Sequence, residues 1–142
     1  MPIVYAVNHA MSKPLITVDV DTLAHEAIKL MVEKNIGAVV VTEKGEPAGI
    51  ITERDILKKC CIYLETVSEL PPSCIRVQVG EIMSKPLVTV DGDTPTGKAS
   101  EIMTEKNIRR LLVTEKEKIV GIVTQKDLMR ATLEVSHALS SD

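Results

Sequence analysis

The feature that most limits what this chain can fold into is an internal duplication. Residues 11–57 align with residues 83–129 without a gap, at a constant offset of 72 positions, and 24 of the 47 pairs are identical. Met11-Ser12-Lys13-Pro14-Leu15 matches Met83-Ser84-Lys85-Pro86-Leu87, and Glu33-Lys34-Asn35-Ile36 matches Glu105-Lys106-Asn107-Ile108. Two copies with little chain outside them imply a molecule in which each copy covers the apolar face the other leaves open. Neither half is expected to be stable alone.

Within a copy the pattern changes from strand to helix and back. Residues 15–18 read as a short extended segment after a proline. Asp21 and Thr22 offer N-cap oxygens to a helix on which Leu23, Ala27, Leu30, Met31 and Lys34 fall at helical spacing, with Leu30 and Met31 facing inward. In the second copy Pro95 suits the first helical position, and Asn35 or Asn107 can end the helix. Val39, Val40 and Val41 form a continuous apolar run, read as a strand buried on both faces. Residues 43–46 read as a hairpin turn, with weaker turn chemistry in the second copy, where Glu117 stands in place of Gly45. Residues 48–52 return as a strand, and a second helix runs from Glu53 to about Ile62. The unit is β-α-β-β-α. Residues 65–73, with Pro71 and Pro72, read as a surface loop. Residues 77–83 mirror 5–11 as a lead-in turn of helix, residues 130–139 extend the last helix, and the final three fray.

Composition closes several alternatives. There is no Trp or Phe and only Tyr5 and Tyr63, so the core must be aliphatic. A net charge of −3, with Lys and Arg scattered, argues against nucleic acid as the main partner. No apolar run is long enough to cross a bilayer, and the start lacks the pattern of a signal peptide, so a cytoplasmic protein is expected. Cys60, Cys61 and Cys74 are odd in number and lack zinc-ligand spacing, which leaves buried or half-buried thiols. His9, His25 and His137 share no ligand spacing and read as surface residues; no metal site is expected.

One seven-residue stretch carries the chemistry. Gly49-Ile50-Ile51-Thr52-Glu53-Arg54-Asp55 recurs as Gly121-Ile122-Val123-Thr124-Gln125-Lys126-Asp127. Read structurally, a threonine with an acidic residue three positions on is a capping box. Read functionally, a strand that ends at a helix N-terminus offers free backbone N–H groups to phosphate, and the carboxylate can accept both hydroxyls of a ribose. The copies differ at the joint between first helix and buried strand: Gly37-Ala38 becomes Arg109-Arg110.

A doubled β-α-β-β-α unit with Met-Ser-Lys-Pro, a buried valine strand and Gly-Ile-Ile-Thr-x-x-Asp resembles a tandem pair of CBS (cystathionine β-synthase) domains, a Bateman module, over nearly the whole chain. The resemblance implies an α+β fold of two pseudo-twofold-related units packed through their sheets. One unit would span residues 1–64 (motif core 11–57), a linker loop residues 65–76, and the other residues 77–142 (motif core 83–129). It implies two clefts for adenosine-containing ligands: AMP, ADP, ATP or S-adenosylmethionine. One cleft would use Thr52, Arg54, Asp55, Val88, Thr89, Ile108, Arg109, Arg110 and Lys126. The other would use Ile16, Thr17, Ile36, Gly37, Ala38, Arg110, Thr124, Lys126 and Asp127. Asp55 and Asp127 would hold ribose, the arginines would approach phosphate, and the cleft with more cations, that of Asp55, would favour more phosphorylated ligands. By the same resemblance the module stands alone here, pairs as a homodimer through its helices and acts on an effector protein.

Three function classes remain. A non-catalytic adenine-nucleotide sensor needs no cofactor, only the ligand. An enzyme would need a nucleophile–base pair, a metal cluster or a phosphate-binding Gly-x-x-x-x-Gly-Lys loop, and the sequence has none of them. A structural or DNA-associated adaptor would leave its clefts empty or hold another ligand there.

Overall fold

The computed structural model describes residues 5–12, 15–61, 76–85 and 87–140. Residues 62–75, with Tyr63, Cys74 and all of the expected linker loop but Arg76, lie outside these, as do Ser141, Asp142 and the side chains of Cys60 and Cys61; Ser140, expected to fray, instead ends the last helix. In chain order the elements are α1 (Val7–Ala10), β1 (Thr17–Asp19), α2 (Ala24–Lys34), β2 (Ala38–Glu43), β3 (Glu46–Thr52), α3 (Glu53–Ile56) and a π-helical turn (Leu57–Cys61). They continue with α4 (Val79–Ile82), β4 (Thr89–Asp91), α5 (Thr96–Lys106), β5 (Arg110–Glu115), β6 (Lys118–Thr124) and α6 (Gln125–Ser140). Each copy is α+β and reads β-α-β-β-α, as the sequence predicts.

Each copy builds one three-stranded mixed sheet, ordered β1-β2-β3 and β4-β5-β6. The first pair in each is parallel and the second antiparallel. The run Val39, Val40, Val41 occupies the central strand and is fully buried at all three positions, hence on both faces. The register slips by one residue between Val41 and Thr42 and again between Val113 and Thr114. In the first copy this places Pro47 opposite Thr42, next to a bulge, where a missing N–H is tolerated.

Local chemistry accounts for the element ends. Asn35 and Asn107 adopt left-handed conformations at φ 51 and 53 and terminate α2 and α5, as expected of Asn. The hairpin tip at Lys44 and Gly45 has positive φ at both residues, and so does the tip at Lys116 and Glu117. Sheet pairing therefore holds Glu117 at φ 67 in a turn that its side chain does not favour.

Three local expectations are corrected. The N-cap of α2 is Leu23, not Asp21 or Thr22, and its amide donates to the Glu26 carboxylate at 3.4 Å. Pro95 takes the equivalent cap position rather than the first helical one. The backbone is committed elsewhere: the Thr22 carbonyl accepts from Val79 N–H and the Thr94 carbonyl from Val7 N–H, each at a lead-in segment. The helix expected from Glu53 to about Ile62 makes a single α turn and then widens into the π-helical turn.

The chain divides into two compact units. One is Ile16–Leu87; the other joins Met1–Leu15 to Val88–Asp142. Compact unit and sequence repeat are thus different divisions, because each sheet is completed by the lead-in segment that precedes the other copy. In the first-sheet unit Val79 and Ile82 of α4 join a core of Ala24, Ala27, Met31, Val39, Val41, Ile51 and Ile56. In the second-sheet unit Val7 of α1 joins Val90, Ala99, Met103, Leu111, Val113, Val123 and Leu128. Both cores are aliphatic, as the lack of Phe and Trp requires. Among the described residues no helix is long and apolar enough to cross a membrane.

Two stability predictions arise here. Gly97 lies in α5 with open space where a Cβ would stand. Gly97→Ala is expected to raise stability by about 0.5 kcal/mol, read as a higher midpoint in urea, by restricting the unfolded chain. In the turn before α5, the Asp93 carboxyl is held above the ordinary carboxylate range by a hydrogen bond to Asp91 and by repulsion from its charge. A raised folded-state pKa means the fold binds this proton more tightly than the unfolded chain, so stability falls as pH rises through the carboxylate range. Asp93→Asn should therefore melt above wild type at neutral pH, with the gap closing as pH drops below that range.

Candidate functional site

In the first-sheet unit, β3 ends at Thr52, the N-cap of α3. Thr52 N–H and Thr52 Oγ–H both donate to Asp55 Oδ2 at 3.0 Å, while Asp55 N–H donates back to Thr52 Oγ1 at 3.3 Å. The capping box read from the sequence is therefore formed. Asp55 is only 6% exposed, and its other oxygen is engaged too. Ser84 Oγ–H donates to Oδ1 at 2.8 Å, and Lys59 Nζ lies 3.6 Å from the same atom. Lys59 also donates to the Ile82 carbonyl, the last of α4, at 2.7 Å. Sequence reasoning missed Ser84 and Lys59 as partners of Asp55.

In the second-sheet unit Thr124 N–H donates to Asp127 Oδ2 at 2.8 Å, and Asp127 N–H donates to Thr124 Oγ1 at 3.2 Å. Asp127 is 8% exposed, but its Oδ1 meets only Arg130 Nη1, at 3.6 Å, among the described residues. The backbone amides expected to be free at these turns are largely used by the chain itself: Glu53 N–H donates to the Gly37 carbonyl and Gln125 N–H to the Arg109 carbonyl.

The joint residues sit beside the Thr-x-x-Asp turn of their own copy. Ala38 pairs with Thr52 across β2 and β3, and Arg110 with Thr124 across β5 and β6. Thr52, Arg54 and Asp55 thus share a unit with Ile16, Thr17, Ile36, Gly37 and Ala38. Thr124, Lys126 and Asp127 share one with Val88, Thr89, Ile108, Arg109 and Arg110. The Ile16 and Val88 carbonyls accept from Val40 and Leu112 N–H, so both residues serve the sheet, while Thr17 and Thr89 are exposed on its edge strands. Ile36 and Ile108 pack against the two cores. His9, His25 and His137 are exposed, and His9 stacks edge-on against Tyr5, 5.3 Å between ring centres.

A groove also opens beside the helices of each unit. In the first-sheet unit its volume is about 380 Å³, walled by Ile28, Val32, Ile56 and Leu57. In the second it is about 560 Å³ and more polar, with Ser100, Thr104, Arg109, Gln125 and Thr132.

The CBS-domain family model matches residues 4–61 and 79–134. An uncharacterized protein of Methanopyrus kandleri, MK0525, is 37% identical over 127 residues, which are 88% of this chain and 61% of that protein; the chain thus spans about three fifths of this relative. Among solved structures, an uncharacterized conserved protein from Pyrococcus horikoshii superimposes with a TM-score of 0.77 at 33% identity, covering 93% of this chain and 95% of its own. The CBS domain pair of protein MJ0100, in complex with 5′-methylthioadenosine and S-adenosyl-L-methionine, gives 0.77 at 27% identity, covering 94% and 99%. The two copies, the two sheets and both Thr-x-x-Asp turns have one source: this chain belongs to the CBS-domain family, whose pairs are regulatory modules.

Proposed function

We propose that this CBS pair is a non-catalytic sensor of an adenosine-containing ligand, with AMP, ADP and ATP the leading candidates. The observation that carries the reading is the pair of buried carboxylates, Asp55 and Asp127, each set by a threonine at a strand-to-helix turn. An ionised carboxylate accepts two hydroxyls at once, which suits the vicinal diol of a ribose. Arg109, Arg110 and Lys126 favour a ligand that also bears phosphate. Thr52 and Thr124 supply neighbouring hydroxyls, and the edge strands at Thr17 and Thr89 offer main-chain groups to a base. S-adenosylmethionine is the second reading, because MJ0100 holds it on the same fold.

Ligand binding would bias the conformation of the pair, and an effector protein would read the change. Self-association through the helices fits the exposed Val32 and Leu57 in one unit and Met129 and Leu133 in the other. Light scattering tests it: a second copy on the face of Val32 and Leu57 requires a dimer mass that Leu57→Glu reduces.

The test of the ligand is calorimetric titration with AMP, ADP, ATP and S-adenosylmethionine. Asp127→Ala is expected to weaken the preferred ligand about ten- to a hundredfold, the worth of a charge-assisted hydrogen bond. Equal affinity in the variant, or no binding to wild type, removes the reading. Turnover of ATP to a new product would replace the sensor with an enzyme.

A further inference from the structure

The two Thr-x-x-Asp turns share their threonine and aspartate and are nearly equal in burial, yet their carboxylates are not equally available. A carboxylate has about four lone-pair directions. At Asp55 all four are spoken for: Thr52 N–H and Thr52 Oγ–H on Oδ2, Ser84 Oγ–H and the Lys59 ammonium on Oδ1. At Asp127, among the described residues, one backbone N–H holds Oδ2, and Oδ1 faces a single guanidinium at 3.6 Å, whose side chain is 68% exposed.

The difference has a definite origin. Ser12 is the repeat equivalent of Ser84, and its backbone is seated in the same way, bridging Ile122 as Ser84 bridges Ile50. Among the described residues, however, no hydrogen bond joins the Ser12 hydroxyl to Asp127. The repeat equivalent of Lys59 is Ala131, which has no charge to offer. Lys59, on the π-helical turn, also donates to the Ile82 carbonyl of α4, so its ammonium and the hydroxyl from the segment after α4 close over Oδ1 together.

We propose that Ser84 and Lys59 form a built-in competitor at Asp55. A ribose diol must displace the Ser84 hydroxyl from Oδ1 there, whereas at Asp127 it meets lone pairs that none of the described residues but Arg130 approaches on Oδ1. The pair is therefore a graded sensor, with a tight site at Asp127 and a weak one at Asp55 whose threshold Ser84 and Lys59 set. This rests on the adenosine-ligand reading above and adds to it the residues that make the two sites unequal.

The experiment titrates the full chain with ATP, AMP and S-adenosylmethionine as separate probes. The variants are Ser84→Ala, Lys59→Met and Asp127→Ala, each with a thermal melt. Wild type should show a tight class of sites, lost in Asp127→Ala, and a weak class. Ser84→Ala should tighten the weak class about tenfold, or bring a second equivalent into view, because one hydrogen bond to a charged group no longer has to be broken. The Ser84 backbone bridge to Ile50 does not depend on the hydroxyl, so this variant should still fold. Lys59→Met, which removes a half-exposed ion pair, should tighten the weak class only about threefold. If probes bind but both variants leave the weak class unchanged or weaker, the competitor is disproved while the sensor reading stands. If no probe binds wild type or any variant, the sensor reading fails and the competitor with it.

Discussion

Asp55→Ala is expected to lower the unfolding free energy by about 3 kcal/mol, roughly three times the loss in Asp127→Ala. The reason lies in what each carboxylate holds. Asp55 accepts from the Thr52 amide and hydroxyl, receives the Ser84 hydroxyl and stands beside Lys59. Its removal leaves a part-buried amide and a part-buried hydroxyl without partners and cuts the link between α3 and the segment after α4. Losing the cap alone is worth about 1 kcal/mol, and a hydrogen bond to a charged group about 1.5–3 kcal/mol. Lys59 adds little, because half-exposed ion pairs are screened. Asp127 holds one amide and one exposed arginine, so its loss approximates that of a cap alone. Urea unfolding followed by far-ultraviolet circular dichroism suits a chain without Trp. Equal midpoint shifts in the two variants would refute the account.

Gly121→Val should be more damaging still, at 3 kcal/mol or more, with Gly121→Ala near 2. A Cβ at Gly121 would meet Met11 Sδ and the Ser12 carbonyl oxygen, both at 2.8 Å. That carbonyl belongs to a segment fastened to Ile122 by backbone hydrogen bonds in both directions, so it cannot retreat without breaking them. Gly49 gives an instructive contrast. Its nearest neighbour would be Met83 Sδ at 2.5 Å, the flexible end of a side chain, while the Ser84 carbonyl is 3.0 Å away. Truncating Met83 to Ala should therefore recover part of the loss in Gly49→Ala. The corresponding Met11→Ala should recover little in Gly121→Ala, where backbone remains in the way. Thermal melts of the four single and two double variants check this, and equal rescue in both copies would contradict it.

Much of this was legible in the residues. The offset of 72 marked the duplication, the valine run marked the central strand, and Asn35 and Asn107 marked the helix ends. The capping box at Thr52 and Asp55 could be read from spacing alone, because both its residues lie on one turn. Ser84 and Lys59 could not be read in the same way. Ser84 reaches Asp55 from 29 positions away, on a segment placed by an isolated bridge to Ile50, and no local periodicity reports such a contact. The identity of Ser12 and Ser84 was visible, but not that only one of them turns to a carboxylate. The widening after Ile56, which brings no Gly or Pro signal, was equally silent. Glu117 shows the opposite failure: local propensity spoke against a turn that the paired strands impose.

The exchanged lead-in segments also set an order of events during synthesis. The first-sheet unit is continuous in the chain, so everything in its core has left the ribosome once Leu87 has emerged. The second is split. Val7, fully buried in the finished protein, has its amide partner at Thr94 and its core companions as far on as Leu128. Val7 is thus made before the first sheet yet buried after it, and it waits in water while residues 8–94 and beyond are translated. For a nascent chain that interval is when Val7 and its neighbours are open to chaperones and proteases, well after the first sheet has closed.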